Sequence, residues 1–330
     1  MTSPAPTQSA PPAVGPRLLV AIPCLNEEAT IASVVRRVPR DIQGVEQVDI
    51  LVVDDGSKDR TAELAREAGA EVLSHGINRG VGRAFQSALA HGVSGGYDLM
   101  VNIDGDGQFA PEDIPKLVAP VIGRSVDMVT ASRFKDPELV PVMPKVKLYG
   151  NHMMSWLVSR LVGTSFADVS CGFRCYSREA MLHLNLHGAF TYTQETFLDF
   201  SAKGLRIGEV PIAVRYFEGR KSRVAGSITK YAVNTAKIIF RSYRDYYPLR
   251  FFLAVALVLF VPGVGLGGLF TWNFLVTGKF TGYLFAGFGS GFLVLLAILM
   301  SILGIIADML DRLRVNQERI LYLLNKRNTR

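Results

Sequence analysis

Two apolar runs without a charged residue, 251–276 and 283–307, fill much of the last third of the chain. Each holds ~25 residues, enough to cross a ~30 Å hydrocarbon core with some tilt. Neither shows the polar stripe that a helix half-buried on a soluble core would carry. The turn between them has one cation, Lys279, whereas Arg241, Arg244 and Arg250 precede the first run and Arg312 and Arg314 follow the second. That bias predicts a multi-pass protein of the cell membrane with both outer flanks, and so both termini, on the cytoplasmic side.

The residues before these runs read differently. Positions 1–16 are rich in Pro, Ala and Ser, with neither a basic start nor an apolar centre. They are expected to be a disordered tail rather than a signal peptide. From Leu18 onward, short apolar runs alternate with amphipathic stretches. Leu18 to Ile22, Asp49 to Val53, Glu71 to Ser74, Leu99 to Ile103 and Met128 to Ala131 read as strands, the first of them stopped by Pro23. Helical patterns at Glu27 to Val38, Thr61 to Ala68 and Gly82 to His91 lie between them. Such alternation predicts an α/β, Rossmann-like domain with a mainly parallel sheet, spanning 17–226. Ligands of such sheets bind beyond the carboxyl ends of the strands.

Three strand ends carry polar clusters: Pro23-Cys-Leu-Asn-Glu-Glu28, Asp54-Asp-Gly-Ser-Lys-Asp59 and Asp104-Gly-Asp-Gly-Gln108. One alone reads as a helix cap or a turn. Three together at one edge read as a site. Asp104 and Asp106, with the Gln108 carbonyl, offer hard oxygen ligands suited to Mg²⁺ or Mn²⁺ with positions left for phosphate. The pair Asp54-Asp55 suits hydrogen bonds from a base N–H or a ribose hydroxyl. Gly80-Val-Gly82 lacks the third glycine and the following acidic strand end of a dinucleotide fingerprint. The formal charge of +7, 36 basic against 29 acidic residues, is compatible with anionic lipid or phosphorylated ligands. No basic tract interleaved with stacking aromatics stands outside the apolar segments, which argues against nucleic acid. The cysteines, Cys24, Cys171 and Cys175, are too few and too irregularly spaced for a disulfide framework or a zinc site.

These three clusters resemble the motifs of family 2 glycosyltransferases with the GT-A fold. Ser132-Arg-Phe134, Asp168 to Arg174, Glu209 to Arg215 and Gly219 to Arg223 narrow the resemblance to dolichyl- or polyprenyl-phosphate hexose synthases. The resemblance implies an inverting, metal-dependent hexosyltransferase that uses a UDP- or GDP-sugar donor and a polyprenyl or dolichyl phosphate acceptor at the cytoplasmic membrane face. It assigns Pro23, Asn26, Glu27, Asp54, Asp55 and Asp104 to the nucleotide-sugar, with Asp54 or Asp55 at the base, and Asp104, Asp106 and Gln108 to the metal. Arg133 matches an acceptor-phosphate arginine, so Asp104, Asp106 and Arg133 form the implied catalytic set. Lys147 stands where relatives tend to have an arginine, a point charge in place of a bidentate fork. Arg220, Lys221 and Arg223 would close over the phosphates. The alternative is a hydroxyl acceptor, glycolipid or glycan, for which Glu195 would be the general base. A phosphate acceptor needs none, being largely dianionic near neutrality.

Two more segments read as interfacial helices. Lys230, Lys237, Arg241 and Arg244 share one face of 227–250, beside the first apolar run, and suit anionic headgroups. Between Lys145 and Val162, Tyr149, Met153, Trp156, Leu157 and Leu161 recur at helical spacing. The tail 308–330 is amphipathic, with Leu310, Leu313, Ile320, Leu321 and Leu324, and is expected to support self-association into a homo-oligomer.

Overall fold

The computed structural model describes residues 15–184, 192–215, 236–237, 240–241, 243–245 and 247–328, which fall into an α/β unit and a helical unit. In the first, seven strands form one sheet: β1 (Arg17–Cys24), β2 (Gln47–Asp54), β3 (Glu71–Ser74), β4 (Leu99–Asn102), β5 (Met128–Ser132), β6 (Arg174–Ser177) and β7 (Ile207–Pro211). Their order is β3-β2-β1-β4-β6-β5-β7. All pairings are parallel except the two made by β6, which runs antiparallel between β4 and β5. The sheet is thus mainly parallel, as the alternation predicts.

Helices α1 (Ile31–Arg37), α2 (Thr61–Glu67), α3 (Val81–Ser94), α4 (Ile114–Ile122), α5 (Lys145–Val162), α6 (Arg178–His183) and α7 (Thr193–Ala202) complete the unit. Side chains alternate across a strand, so Leu18, Val20 and Ile22 of β1 meet α1 and α4 on one face. On the other face Leu19 and Met100 approach Gly92 of α3. Burial on both faces explains why β1 and β2 read as continuous apolar runs.

Pro23 does not end β1 but lies inside it, paired with Val53 of β2. Its N–H-less nitrogen faces the β4 side, where the ladder stops at Ala21–Asn102, so no sheet bond is lost. Helix α1 starts at Ile31 rather than near Glu27, because Glu27 and Glu28 bond to the next loop.

In the helical unit, α8 (Pro248–Thr277) and α9 (Leu284–Asn328) are both long and apolar enough to cross a membrane. They form an antiparallel hairpin with close approaches at glycines: a Cβ on Gly263 would lie 3.1 Å from Leu293, and one on Gly287 would lie 3.2 Å from the Phe270 ring. Small residues let the backbones approach and gain van der Waals contact where lipid offers no hydrophobic drive. The second apolar run and the tail are one uninterrupted helix, so the division at 307–308 is compositional. Of the expected 227–250 helix, Lys237, Arg241 and Arg244 are exposed on helical backbone, and Lys230 lies outside the described residues.

Candidate functional site

The loops after β1 and β2 brace each other. Asn26 adopts a left-handed φ of 51°, which asparagine tolerates. Its N–H donates to Ser57 Oγ at 2.8 Å, and its Oδ1 accepts from Lys58 N–H at 2.7 Å. Glu27 N–H donates to Thr61 Oγ1 at 2.7 Å. Asp54 is buried and accepts from Ser57 N–H at 2.9 Å and Ser74 Oγ at 2.8 Å. Asp55 is equally buried and accepts from the N–H groups of Arg79 (2.9 Å) and Gly80 (2.8 Å). Its Oδ1 also lies 2.8 Å from His75 Nδ1. Both carboxylates therefore shape the loops, and a carboxylate's four or so lone-pair sites leave acceptor capacity at each for a ligand. Gly56, at φ +80°, lets the loop press on Ile77: a Cβ there would sit 2.5 Å from a backbone carbon. Beside Asp55, a cavity of about 250 Å³ is lined by His75, Arg79, Arg83, Gln86, Ser87 and Ala90.

Beyond β4 the backbone turns through Asp104-Gly105-Asp106. Thr30 Oγ1 donates to Gly105 O at 2.8 Å, and Asp106 Oδ1 accepts from Gln108 N–H at 3.0 Å. Gly105 lies against Cys24, so closely that a Cβ would meet its sulfur. Burial, reinforced by Asp106 and Glu27 and opposed by Arg133, pushes the Asp104 carboxyl up to about 7. Burial and the charges of Glu27, Asp104, Asp54 and Asp106 raise the Cys24 thiol well above its usual range. Negative charge is thus concentrated at this edge. The donor set is hard oxygen, which fits Mg²⁺ or Mn²⁺. Among the described residues no three His, Cys, Asp or Glu side chains converge into a closed cage, so phosphate and water would complete the shell. The Gln108 main chain is bonded on both sides: its N–H donates to Asp106 Oδ1, and its carbonyl accepts from Arg215 N–H at 2.9 Å.

Across from Asp104 stands the segment leading into β6. Arg133, just past β5, donates from Nε to Asp168 Oδ2 (2.6 Å) and from Nη2 to Asp168 Oδ1 (2.9 Å) and Ser170 Oγ (2.7 Å). Asp168 is fully buried. Burial alone would raise its carboxyl, but the Arg133 charge and hydrogen bonds from Arg133 and Ser170 hold it below the usual range. The Glu209 carboxylate accepts from Ala167 and Asp168 N–H groups. Asn102 Nδ2 donates to Gly172 O at 3.0 Å and to Tyr192 Oη at 2.7 Å. The fully buried Arg174 donates to Cys171 O at 2.9 Å and Val169 O at 3.2 Å and stacks over Phe197. Pinned this way, Gly172 abuts Asp104: a Cβ there would lie 3.4 Å from both carboxylate oxygens. Lys147, half-buried on α5, is lowered by burial and then by the nearby Arg133. Of the five expected acceptor-side cations, Arg133 and Lys147 stand within electrostatic reach of each other. Glu195 sits buried in the first turn of α7. Arg220, Lys221 and Arg223 lie outside the described residues.

Sequence reasoning gave no role to Asp168, Glu209, Asn102 or Arg174, although three of them fall in segments that carried the resemblance. Their partners are distant in the chain, and no spacing rule joins Arg133 to a residue 35 positions away.

Residues 19–184 match the model of glycosyl transferase family 2. The chain belongs to that family. The glycosyltransferase is 32% identical over 226 residues to the UDP-N-acetylglucosamine–dolichyl-phosphate N-acetylglucosaminyltransferase of Methanococcus voltae, covering 62% of this chain and 88% of the relative. It is 30% identical to the polyprenol monophosphomannose synthase of Mycolicibacterium smegmatis, over 64% of this chain and 82% of the relative. Its fold is that of GT-A enzymes. Glucosyl-3-phosphoglycerate synthase of Mycobacterium tuberculosis, crystallised with Mn²⁺, UDP-glucose and glycerol 3-phosphate, superposes with a TM-score of 0.52 at 25% identity, over 67% of this chain and 79% of that one.

Proposed function

We propose that this glycosyltransferase moves a hexose-type sugar from a UDP- or GDP-sugar to a polyprenyl or dolichyl phosphate at the cytoplasmic face of the cell membrane. The observation that carries the reading is the pairing of two unlike subsites at one sheet edge. Clustered carboxylates surround Asp104, and the cations Arg133 and Lys147 stand within electrostatic reach of each other. The first suits a cation-bound pyrophosphate, the second a phosphate nucleophile. The acceptors named for the Methanococcus and Mycolicibacterium relatives support the lipid phosphate.

Asp104 and Asp106 would hold Mg²⁺ or Mn²⁺, which neutralises the departing nucleoside diphosphate. Asp54, Asp55, Asn26 and Glu27 shape the donor side, and the cavity beside Asp55 has room for part of the nucleotide. Asp168 fixes the Arg133 guanidinium in one plane, so its charge meets the acceptor phosphate without reorganisation. Lys147 adds a second charge to the same anion. The phosphate oxygen attacks the anomeric carbon in line, the glycosidic bond to the diphosphate breaks, and configuration inverts. No general base is needed, which leaves Glu195 a positioning role. Arg220, Lys221 and Arg223 would add their positive charge to the donor and acceptor phosphates. Arginines flanking both apolar helices support the cytoplasmic orientation.

The test is a donor panel of UDP- and GDP-sugars with a short polyprenyl phosphate, with and without EDTA. Label recovered in an acid-labile lipid only when divalent cation is present is the expected result. Transfer to a hydroxyl acceptor alone, or full turnover in EDTA, would refute it.

A further inference from the structure

Two consecutive residues at the end of β3 each hold one carboxylate of the Asp54-Asp55 pair. Ser74 lies in register with Asp54, and its Oγ donates to Asp54 Oδ2 at 2.8 Å. The next residue, His75, has Nδ1 2.8 Å from Asp55 Oδ1 and Nε2 2.9 Å from Ser87 Oγ. The His75 and Asp55 side chains are each 5% exposed. An ionised carboxylate only accepts, so Nδ1 carries the ring proton, and Nε2 of the neutral ring accepts from the Ser87 hydroxyl. The imidazole is the middle of a chain that runs from the end of β2 to the second turn of α3.

Asp55 also accepts from the Arg79 and Gly80 N–H groups, where a φ of +92° at Gly80 turns the backbone into α3. Take the ring away, and Asp55 Oδ1 keeps one backbone donor among the described residues. The carboxylate and the turn it caps could then both shift. His75, Arg79 and Ser87 all line the cavity beside Asp55. The order β3-β2-β1-β4 sets three strand spacings, about 14 Å, between the strand that carries His75 and the one that leads to Asp104. A ring so distant from Asp104 and so little exposed does not reach the leaving diphosphate; it acts through Asp55.

We propose that His75 is a positioning residue for the donor nucleotide. Its Nδ1 fixes Asp55 and the Arg79 turn that wall the cavity, and its Nε2 anchors them to α3. The proposal rests on the assignment of this edge to the donor, made above. A buried histidine with both nitrogens bonded can steady any fold. Here its Nδ1 partner belongs to the strand-end cluster of the donor side, and its Nε2 partner lines the same cavity as the ring.

Three variants separate the two ring nitrogens. The side-chain amide of asparagine can stand in for Nδ1, and that of glutamine for Nε2, so His75→Asn keeps the bond to Asp55 and His75→Gln keeps the one to Ser87. His75→Ala keeps neither. Binding of UDP and of GDP, each with Mg²⁺, is measured by calorimetry on the full-length protein in detergent. For whichever nucleotide the wild type binds, His75→Gln and His75→Ala should weaken affinity at least tenfold, and His75→Asn less than threefold. The KM for a polyprenyl phosphate at saturating donor should stay within twofold in all three. Wild-type affinity in His75→Gln would overturn the proposal. So would equal weakening in all three variants with Tm falling and acceptor KM rising in step, since the ring would then support the fold alone. A wild type that binds neither nucleotide would refute the donor assignment itself, and the proposal with it.

Discussion

Asp168→Asn tests the acceptor site most directly. The substitution keeps shape and one hydrogen-bonding oxygen but removes the charge that faces Arg133. The Asp168 side chain is 0% exposed and that of Arg133 is 11% exposed, so little solvent can replace the lost partner. Breaking a buried pair by removing one member destabilises by about 3–5 kcal/mol, because the other charge is left uncompensated. For a unit of this size 1 kcal/mol moves Tm by roughly 2–4 °C, so a fall of about 6–20 °C is expected. Thermal unfolding in detergent, followed by near-UV circular dichroism, reads it. The unpaired guanidinium also loses its fixed plane, so acceptor KM should rise while nucleotide affinity holds. Adding Arg133→Met to Asp168→Asn should restore part of the Tm but none of the acceptor binding. A Tm within 2 °C of wild type, with acceptor KM unchanged, would refute the claim that Asp168 is the counter-charge that orders this subsite.

Other expectations concern the donor side and the nucleophile. Asp106→Ala should abolish transfer while the protein stays folded and membrane-inserted, read by activity and circular dichroism. Asp104 binds its proton more tightly folded, at about 7, than at the ordinary 3.8. Metal-free stability should therefore decline as pH rises from about 4 to about 7. Mn²⁺ binding, followed by electron paramagnetic resonance, should tighten over the same window and level off above it; an Asp104→Asn variant should show neither trend. Gly56→Ala imposes a left-handed penalty of about 1–2 kcal/mol and drives a methyl into the Ile77 backbone, so donor binding by calorimetry should be lost and Tm should fall. Glu195→Gln should lower kcat by less than tenfold; a drop of about 10²–10⁴-fold would be that of a general base and would favour a hydroxyl acceptor.

What could be read from the chain, and what could not, follows from the range of each interaction. Strands β1, β2, β4 and β5 were legible because a doubly covered strand must be apolar along its length. The carboxylates at their ends stood out because polar clusters interrupt that pattern. Pro23 misled, since whether a proline breaks a strand depends on which neighbour its nitrogen faces, and that is a matter of pairing. β6 gave no signal: Arg-Cys-Tyr-Ser has neither alternation nor an apolar run, and its buried arginine is tolerated because the carbonyls of Val169 and Cys171 accept from it and the Phe197 ring lies under it. α5 was bounded correctly from its apolar spacing, but that spacing did not tell which residues would face inward. Arg133 was found by resemblance. Asp168, which holds it, required the fold.

The reversed strand has a consequence for how such an enzyme can change over generations. The residues proposed for the donor side hang from β1, β2 and β4, whereas Arg133, Asp168 and Glu209 belong to β5, β7 and the approach to β6. The β4–β6 ladder is the seam between them, and hydrogen bonds among Asn102, Tyr192 and Gly172 stitch across it near Asp104. Insertions between β5 and β6 can reshape the surroundings of Arg133 and Asp168 while β1, β2 and β4 keep their register. If the proposed division of the site holds, the segment between β5 and β6 is where acceptor preference can change without disturbing the donor-side strands.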